Sequence, residues 1–170
     1  MSPVQPSRMT REAFVARFGG VFEHSPWIAE RAFDRGLAAD ADGAEGLHAR
    51  LCREFRAADR AAQLGVVVAH PDLAGRLALA GALTADSTAE QASAGLDKCT
   101  PAELARFTEL NDAYKARFGF PFIMAVKGRS RAEILAAFER RVAHTPDEEF
   151  ETALGQIERI ALLRLKDMLP

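Results

Sequence analysis

The side chains best suited to chemistry are His70, the pair Glu90–Gln91, and Arg164, far apart in the chain and each in an atypical context. In LGVVVAHPDLAG, residues 64–75, an apolar run of Leu64, Val66, Val67 and Val68 delivers one histidine directly against Pro71. The proline biases His70 away from the α region and fixes the backbone where the side chain leaves the core. Imidazole, with an ordinary pKa of about 6.5, gives or takes a proton at neutral pH. The commoner use of a lone histidine is a packed group at a helix C-terminus, where a positive ring is favoured.

The second set lies in TADSTAEQASAGL, residues 84–96. Ser87 and Glu90 have capping-box spacing, which by itself explains the glutamate as a helix-start residue. Gln91 and the small residues Ala92, Ser93, Ala94 and Gly95 follow it. Free amides, a hydroxyl, a carboxylate and a carboxamide within one turn also suit an anionic or multiply hydrogen-bonding ligand.

Arg164 stands on the apolar stripe of the last segment, which runs Ala153, Ile157, Ile160, Ala161, position 164, Met168. Arg159 falls on the more polar side, with Thr152 and Gln156. An inward guanidinium is costly unless it is paired, snorkels to the rim, or clamps a carboxylate or urea oxygen. A fourth feature, GFPFIMAVKGR at 119–129, is apolar yet bounded by Gly-Phe-Pro and Lys-Gly. An irregular apolar loop of this kind must find partners for its backbone groups, and such loops either pack or line a ligand pocket.

Other candidates are weaker. His24 precedes Ser25-Pro26, His48 lies in a charged helical stretch, and His144 precedes a cap. No pair has metal-ligand spacing, so no metal is expected. Cys52 and Cys99 match neither a zinc nor a redox pattern.

The elements that must position these groups read as helical nearly throughout. Thr100-Pro101, Thr145-Pro146 and Ser25-Pro26 each set a cap hydroxyl before a proline at the first helical position. Thr100–Glu103, Ser130–Glu133 and Thr145–Glu148 have capping-box spacing, and Gly36 and Gly119 stand at expected stops. Apolar residues recur at three and four in Leu47, Leu51, Phe55 and in Leu104, Phe107, Leu110, Tyr114, Phe118. Val66–Val68 suits a short strand equally well by propensity. The prediction is an all-α single domain of about seven to eight helices over 10–170, after a flexible 1–9. A net charge of −2 on 170 residues, 48% of them hydrophobic and 27% charged, describes an ordinary globular chain. No nucleic-acid surface, membrane patch or apolar signal core is evident, and the ending DMLP is not the peroxisomal tripeptide. A cytoplasmic protein is expected.

AHPDLAG, LTADSTAEQASAGL, LNDAYKARFGFPFIMAVKG and ALGQIERIALLRL, in unbroken order from about residue 65 onward, together resemble the 2-oxo-4-hydroxy-4-carboxy-5-ureidoimidazoline (OHCU) decarboxylases. The resemblance implies an all-α helical bundle, commonly homodimeric, that makes (S)-allantoin and carbon dioxide in urate degradation without a cofactor. It puts a catalytic histidine on His70, a backbone-binding proline on Pro71, and a substrate-binding turn on Ser87, Thr88, Ala89, Glu90 and Gln91, with Glu90 the catalytic carboxylate. A wall of main-chain groups falls on Phe122, Ile123, Met124, Ala125 and Val126. The arginine falls on Arg164 by the face argument, with Arg159 as the other choice. Two further readings stand beside it: a non-catalytic helical binding module, and a lyase or hydrolase acting on another ureido or imidazole compound.

Overall fold

The computed structural model describes residues 2–71, 73, 86, 89, 90, 95 and 99–169. Seven α-helices lie among them: α1 Arg11–Phe18, α2 Trp27–Arg35, α3 Ala44–Ala57, α4 Arg60–Ala69, α5 Pro101–Phe118, α6 Arg131–Arg141 and α7 Pro146–Met168. Two 3-10 turns, Pro6–Arg8 and Ala39–Asp42, complete the regular structure. The described residues contain no strand, as the all-α expectation requires. Val66–Val68, ambiguous by propensity, is helical and belongs to α4.

Two compact units divide the chain, Met1–Ala69 with Ile157–Pro170, and His70–Gln156. The first is built on phenylalanine. Phe14 meets Phe18 and Phe33 at ring-centre distances of 5.1 and 5.5 Å, and Phe22 meets Phe55 at 5.3 Å. Leu47, Leu51 and Phe55, the stripe legible in α3, are fully buried, as are Ala161 and Leu165 from the end of α7. Polar clamps tie the surface segments together. Ser7 donates to Asp42 through its backbone N–H and its hydroxyl, both at 2.8 Å. Arg50 bridges Asp40 and the Gly36 carbonyl that ends α2. Gly46 must be a glycine, because a Cβ there would lie 1.8 Å from the Asp40 carbonyl oxygen. The expected cap at Ser25 is not formed: α2 starts after Pro26 without a side-chain cap, and the Ser25 hydroxyl donates to the Glu23 carbonyl at 2.8 Å instead.

In the second unit the expected caps are present. Thr100–Glu103 and Ser130–Glu133 form reciprocal capping boxes, and Thr145 and Glu148 exchange bonds of 3.1 and 3.3 Å. Gly119 ends α5 in the left-handed conformation, φ 77°, which a glycine adopts without steric cost. The core is an aromatic cluster around Tyr114, with Phe118, Phe120, Phe122 and Phe138 at 4.5–6.0 Å. Phe122 also stacks on Phe138 at 3.9 Å.

Inside this cluster sits the fully buried carboxylate of Glu149. Tyr114 donates to it at 2.5 Å, Arg141 donates through Nη2 at 2.9 Å and through Nε, and His144 Nδ1 lies 3.0 Å away. Burial, with the bond to Glu149 behind it, pushes the pKa of the Tyr114 hydroxyl up and keeps it a donor.

Glu149→Ala strands the Arg141 charge and should cost about 3–5 kcal/mol in urea unfolding, whereas replacing Arg141 and Glu149 together by Met and Leu should cost markedly less. In the first unit, the Arg35 guanidinium holds the buried Glu54 carboxyl below its ordinary value of 4.5 despite desolvation. A lowered native pKa stabilises above the unfolded value and loses that contribution as the pH falls. The urea midpoint of Glu54→Gln should therefore lie below wild type at pH 7, and the gap should close as the pH drops below 4.5.

Candidate functional site

His70 immediately follows the last turn of α4 and is 7% exposed, with Pro71 half-buried beside it. The apolar run before it is only partly core. Val66 and Val67 are fully buried, while Leu64 and Val68, one helical turn apart, are 38% and 51% exposed. Helical register explains the split, since residues four apart share a face. Past the histidine, Asn111 Nδ2 donates to the Leu73 carbonyl at 3.0 Å and ties Leu73 to α5. Asn111 is a site-positioning residue that sequence reasoning missed, because the carbonyl it holds lies 38 residues away.

Of the expected turn, Ala89 and Glu90 are helical, Ala89 exposed and Glu90 half-buried. Ser87, Thr88 and Gln91 lie outside the described residues. Gly95, with φ 76°, is tied to α6, where Arg131 Nη1 donates to its carbonyl at 3.2 Å while Nε holds Glu103 at 2.8 Å.

The loop after α5 solves its backbone problem with side chains. Phe122, Ile123, Ala125 and Val126 are buried and Met124 is half-buried. Arg141 Nη1 donates to the Ile123 carbonyl at 2.7 Å, and the Ala125 N–H donates to Gln156 Oε1 at 2.9 Å. The Val126 carbonyl accepts from the Arg129 N–H at 2.9 Å. The Arg141 guanidinium also lies 4.2 Å over the Phe122 ring. A cavity of about 450 Å³ adjoins the loop, lined by Met124, Arg129, Arg140, Arg141, Thr152 and Gln156 among others. Arg141 and Gln156 thus carry a role that composition did not reveal. In the sequence Gln156 reads only as part of the polar side of the last helix.

Arg164 is buried, with Nη2 on Glu23 Oε1 at 2.8 Å and Nη1 on the Val21 carbonyl at 3.2 Å, whereas Arg159 is exposed. Glu23 is 1% exposed and was not foreseen, because its partner is remote in sequence. His48 Nε2 lies 2.7 Å from the Glu158 carbonyl and close to Cys52, whose thiol pKa is pushed up by burial. Among the described residues no group of three or more His, Cys, Asp and Glu side chains is placed to hold a metal.

Comparison with known proteins adds the identity of the lineage. The family model described as OHCU decarboxylase matches residues 7–166, across both units. A 2-oxo-4-hydroxy-4-carboxy-5-ureidoimidazoline decarboxylase of Haloferax volcanii is 43% identical over 96% of this chain and 93% of its own length. The mouse protein of the same name is 37% identical over 99% of this chain and 93% of its own. Among solved structures, an (S)-allantoin synthase superposes with a TM-score of 0.76 at 30% identity, over 96% of this chain and 52% of that one. An OHCU decarboxylase crystallised in the presence of (S)-allantoin shares the fold, with a TM-score of 0.66 at 22% identity over 95% and 99%. With a family match over nearly its whole length and relatives alike over nearly theirs, the chain belongs to the OHCU decarboxylase family.

Proposed function

We propose that the protein is a carboxy-lyase that converts 2-oxo-4-hydroxy-4-carboxy-5-ureidoimidazoline into (S)-allantoin and carbon dioxide in urate degradation. The observation that carries this reading is the near end-to-end match with relatives named for that decarboxylation. The chemistry is within reach of ordinary side chains. When the C–C bond to the carboxylate breaks, carbon dioxide leaves, the released pair forms a C=C bond to the neighbouring ring carbon, and the C=N pair moves onto nitrogen, which takes a proton. The resulting enol then loses its hydroxyl proton and becomes a carbonyl as the neighbouring ring carbon takes a proton on one face. The substrate is its own electron sink, so the reading requires no cofactor.

His70 is assigned the proton transfer at the substrate hydroxyl or ring, and its burial supports this role by keeping bulk water from the transfer. Glu90 orients the hydroxyl and disfavours the ground-state carboxylate through like charge. Pro71 and the turn Ser87–Gln91 bind the substrate, and Phe122–Val126 forms the wall that meets the ring with main-chain groups. Arg164 is assigned to a substrate oxygen, a contact its multi-donor guanidinium would add to those it makes with Glu23 and the Val21 carbonyl. The reading extends to a homodimer in the cytoplasm. Leu64 and Val68, exposed together on α4, support self-association, and no helix of the described residues is long and apolar enough to cross a membrane.

The unaided reaction gives racemic product, so stereochemistry tests the proposal as sharply as rate. Urate oxidase and hydroxyisourate hydrolase should generate the substrate while circular dichroism follows the product. Adding this protein should bring fast growth of the (S)-allantoin signal, and an unchanged, slow, racemic course would overturn the reading. His70→Asn, Glu90→Ala and Arg164→Gln should each lower kcat/KM by about 100-fold or more. Wild-type activity in any one removes that residue's role. Loss of stability in His70→Asn with no purine-derived ligand bound by the wild type would favour the binding module, and turnover of hydroxyisourate or allantoin instead would favour another ureido-directed activity.

A further inference from the structure

Gln156 has no part in the decarboxylation as assigned above, yet among the described residues its side chain accepts the Ala125 N–H, at 2.9 Å. It lies four residues beyond Thr152 and seven beyond Glu149, so the three share one face of α7. Unlike the exposed Arg159, with which the sequence pattern grouped it, Gln156 is half-buried. Its side-chain carbonyl and the Arg141 guanidinium grip the loop on either side of Met124, one through the Ala125 N–H and the other through the Ile123 carbonyl. Met124 and Gln156 both line the 450 Å³ cavity. Side-chain packing anchors Phe122 and Val126 at the ends of the loop, while at half-buried Met124 the loop borders open volume, so there the backbone conformation rests on these two polar contacts as well as on packing.

We propose that Gln156 is a positioning residue for the decarboxylation: by accepting the Ala125 N–H it sets the conformation in which 122–126 presents main-chain groups to the substrate ring. The inference rests on the decarboxylase reading and deepens it. A wall held in one conformation exposes one face of the ring to the incoming proton, so the contact governs stereochemical purity as well as rate. An acceptor oxygen at this position is what matters, not the amide as such. A glutamate would serve, because Arg129, Arg140 and Arg141 line the same cavity and tolerate a carboxylate.

The test compares Gln156→Leu, which removes the acceptor at similar volume, with Gln156→Glu, which keeps it. Gln156→Leu should lower kcat by about 10-fold or more, with a smaller change in KM, and should raise the fraction of (R)-allantoin. Gln156→Glu should return both kcat and (S) purity to within about 3-fold of wild type. Hydrogen exchange at the Ala125 amide reads the contact without catalysis: protection should be present in wild type and Gln156→Glu and lost in Gln156→Leu. Full activity and (S) purity in Gln156→Leu, equal impairment of both variants, or unchanged Ala125 exchange would each overturn the proposal. A wild type that does not accelerate the reaction would instead remove the decarboxylase reading, and with it the catalytic purpose of the contact, whatever the exchange data show about the contact itself.

Discussion

A charge placed where water does not reach must be matched atom by atom, and the second unit is organised around that requirement at Arg141 and Glu149. Both side chains are at most 5% exposed. Desolvating such a pair costs several kcal/mol per ion, and mutual attraction offsets that only when the remaining donors and lone pairs are satisfied. Here they are: Tyr114, His144 and two guanidinium nitrogens serve the carboxylate, and the third guanidinium nitrogen serves the Ile123 carbonyl. The pair therefore does more than hold α6 to the start of α7. It supplies the donor that an irregular buried loop lacks internally, and so permits a non-helical segment to lie among the phenylalanines.

The first unit repeats the device with different residues. Arg164 gives one terminal nitrogen to the Glu23 carboxylate and the other to the Val21 carbonyl, just as Arg141 divides its nitrogens between Glu149 and Ile123. In both, a planar fork reaches a carboxylate and a loop carbonyl at once, which a lysine ammonium, a compact point charge, does not do with the same geometry. The loops so held, 119–130 and the stretch before α2, do not follow a regular ladder. Arginine is used where the backbone needs an outside donor.

Local physics was legible in the sequence, and remote pairing was not. The caps at Thr100, Ser130 and Thr145 and the stop at Gly119 depend on neighbours within four residues, so spacing alone identified them. The stripes Leu47–Leu51–Phe55 and Ala153–Ile157–Ala161 were readable for the same reason. Ser25 went otherwise: its hydroxyl donates to the Glu23 carbonyl rather than accepting a helix N–H, a choice between two local roles that composition does not decide. Glu23, Glu149 and Asn111 look like surface residues in the sequence. Their burial depends on partners that spacing does not reveal, 141 residues away for Glu23 and 38 for Asn111. Position 164 could be marked as anomalous on its face, but its partner could not. For the candidate site, the histidine, the glutamate and the loop could be nominated from residue type, while the groups that hold the loop required coordinates.

The division has a chemical sense. A reaction whose substrate supplies its own electron sink asks little of the protein in reactive groups and much in orientation, because racemic product forms without help. One imidazole and one carboxylate meet the first demand, and they are the features that spacing exposes. The second demand falls on groups that never touch the reacting atoms. Buried Arg141 and half-buried Gln156 fix a loop carbonyl and a loop amide to within hydrogen-bond tolerance, and such anchoring is specified by three-dimensional neighbours alone. A family resemblance points to the first kind of residue, and the hydrogen-bond geometry of 122–126 points to the second. On this reading the anchors of the loop bear on stereochemical purity and rate together, because both depend on the orientation of the ring, whereas His70 and Glu90 act at the reacting atoms themselves.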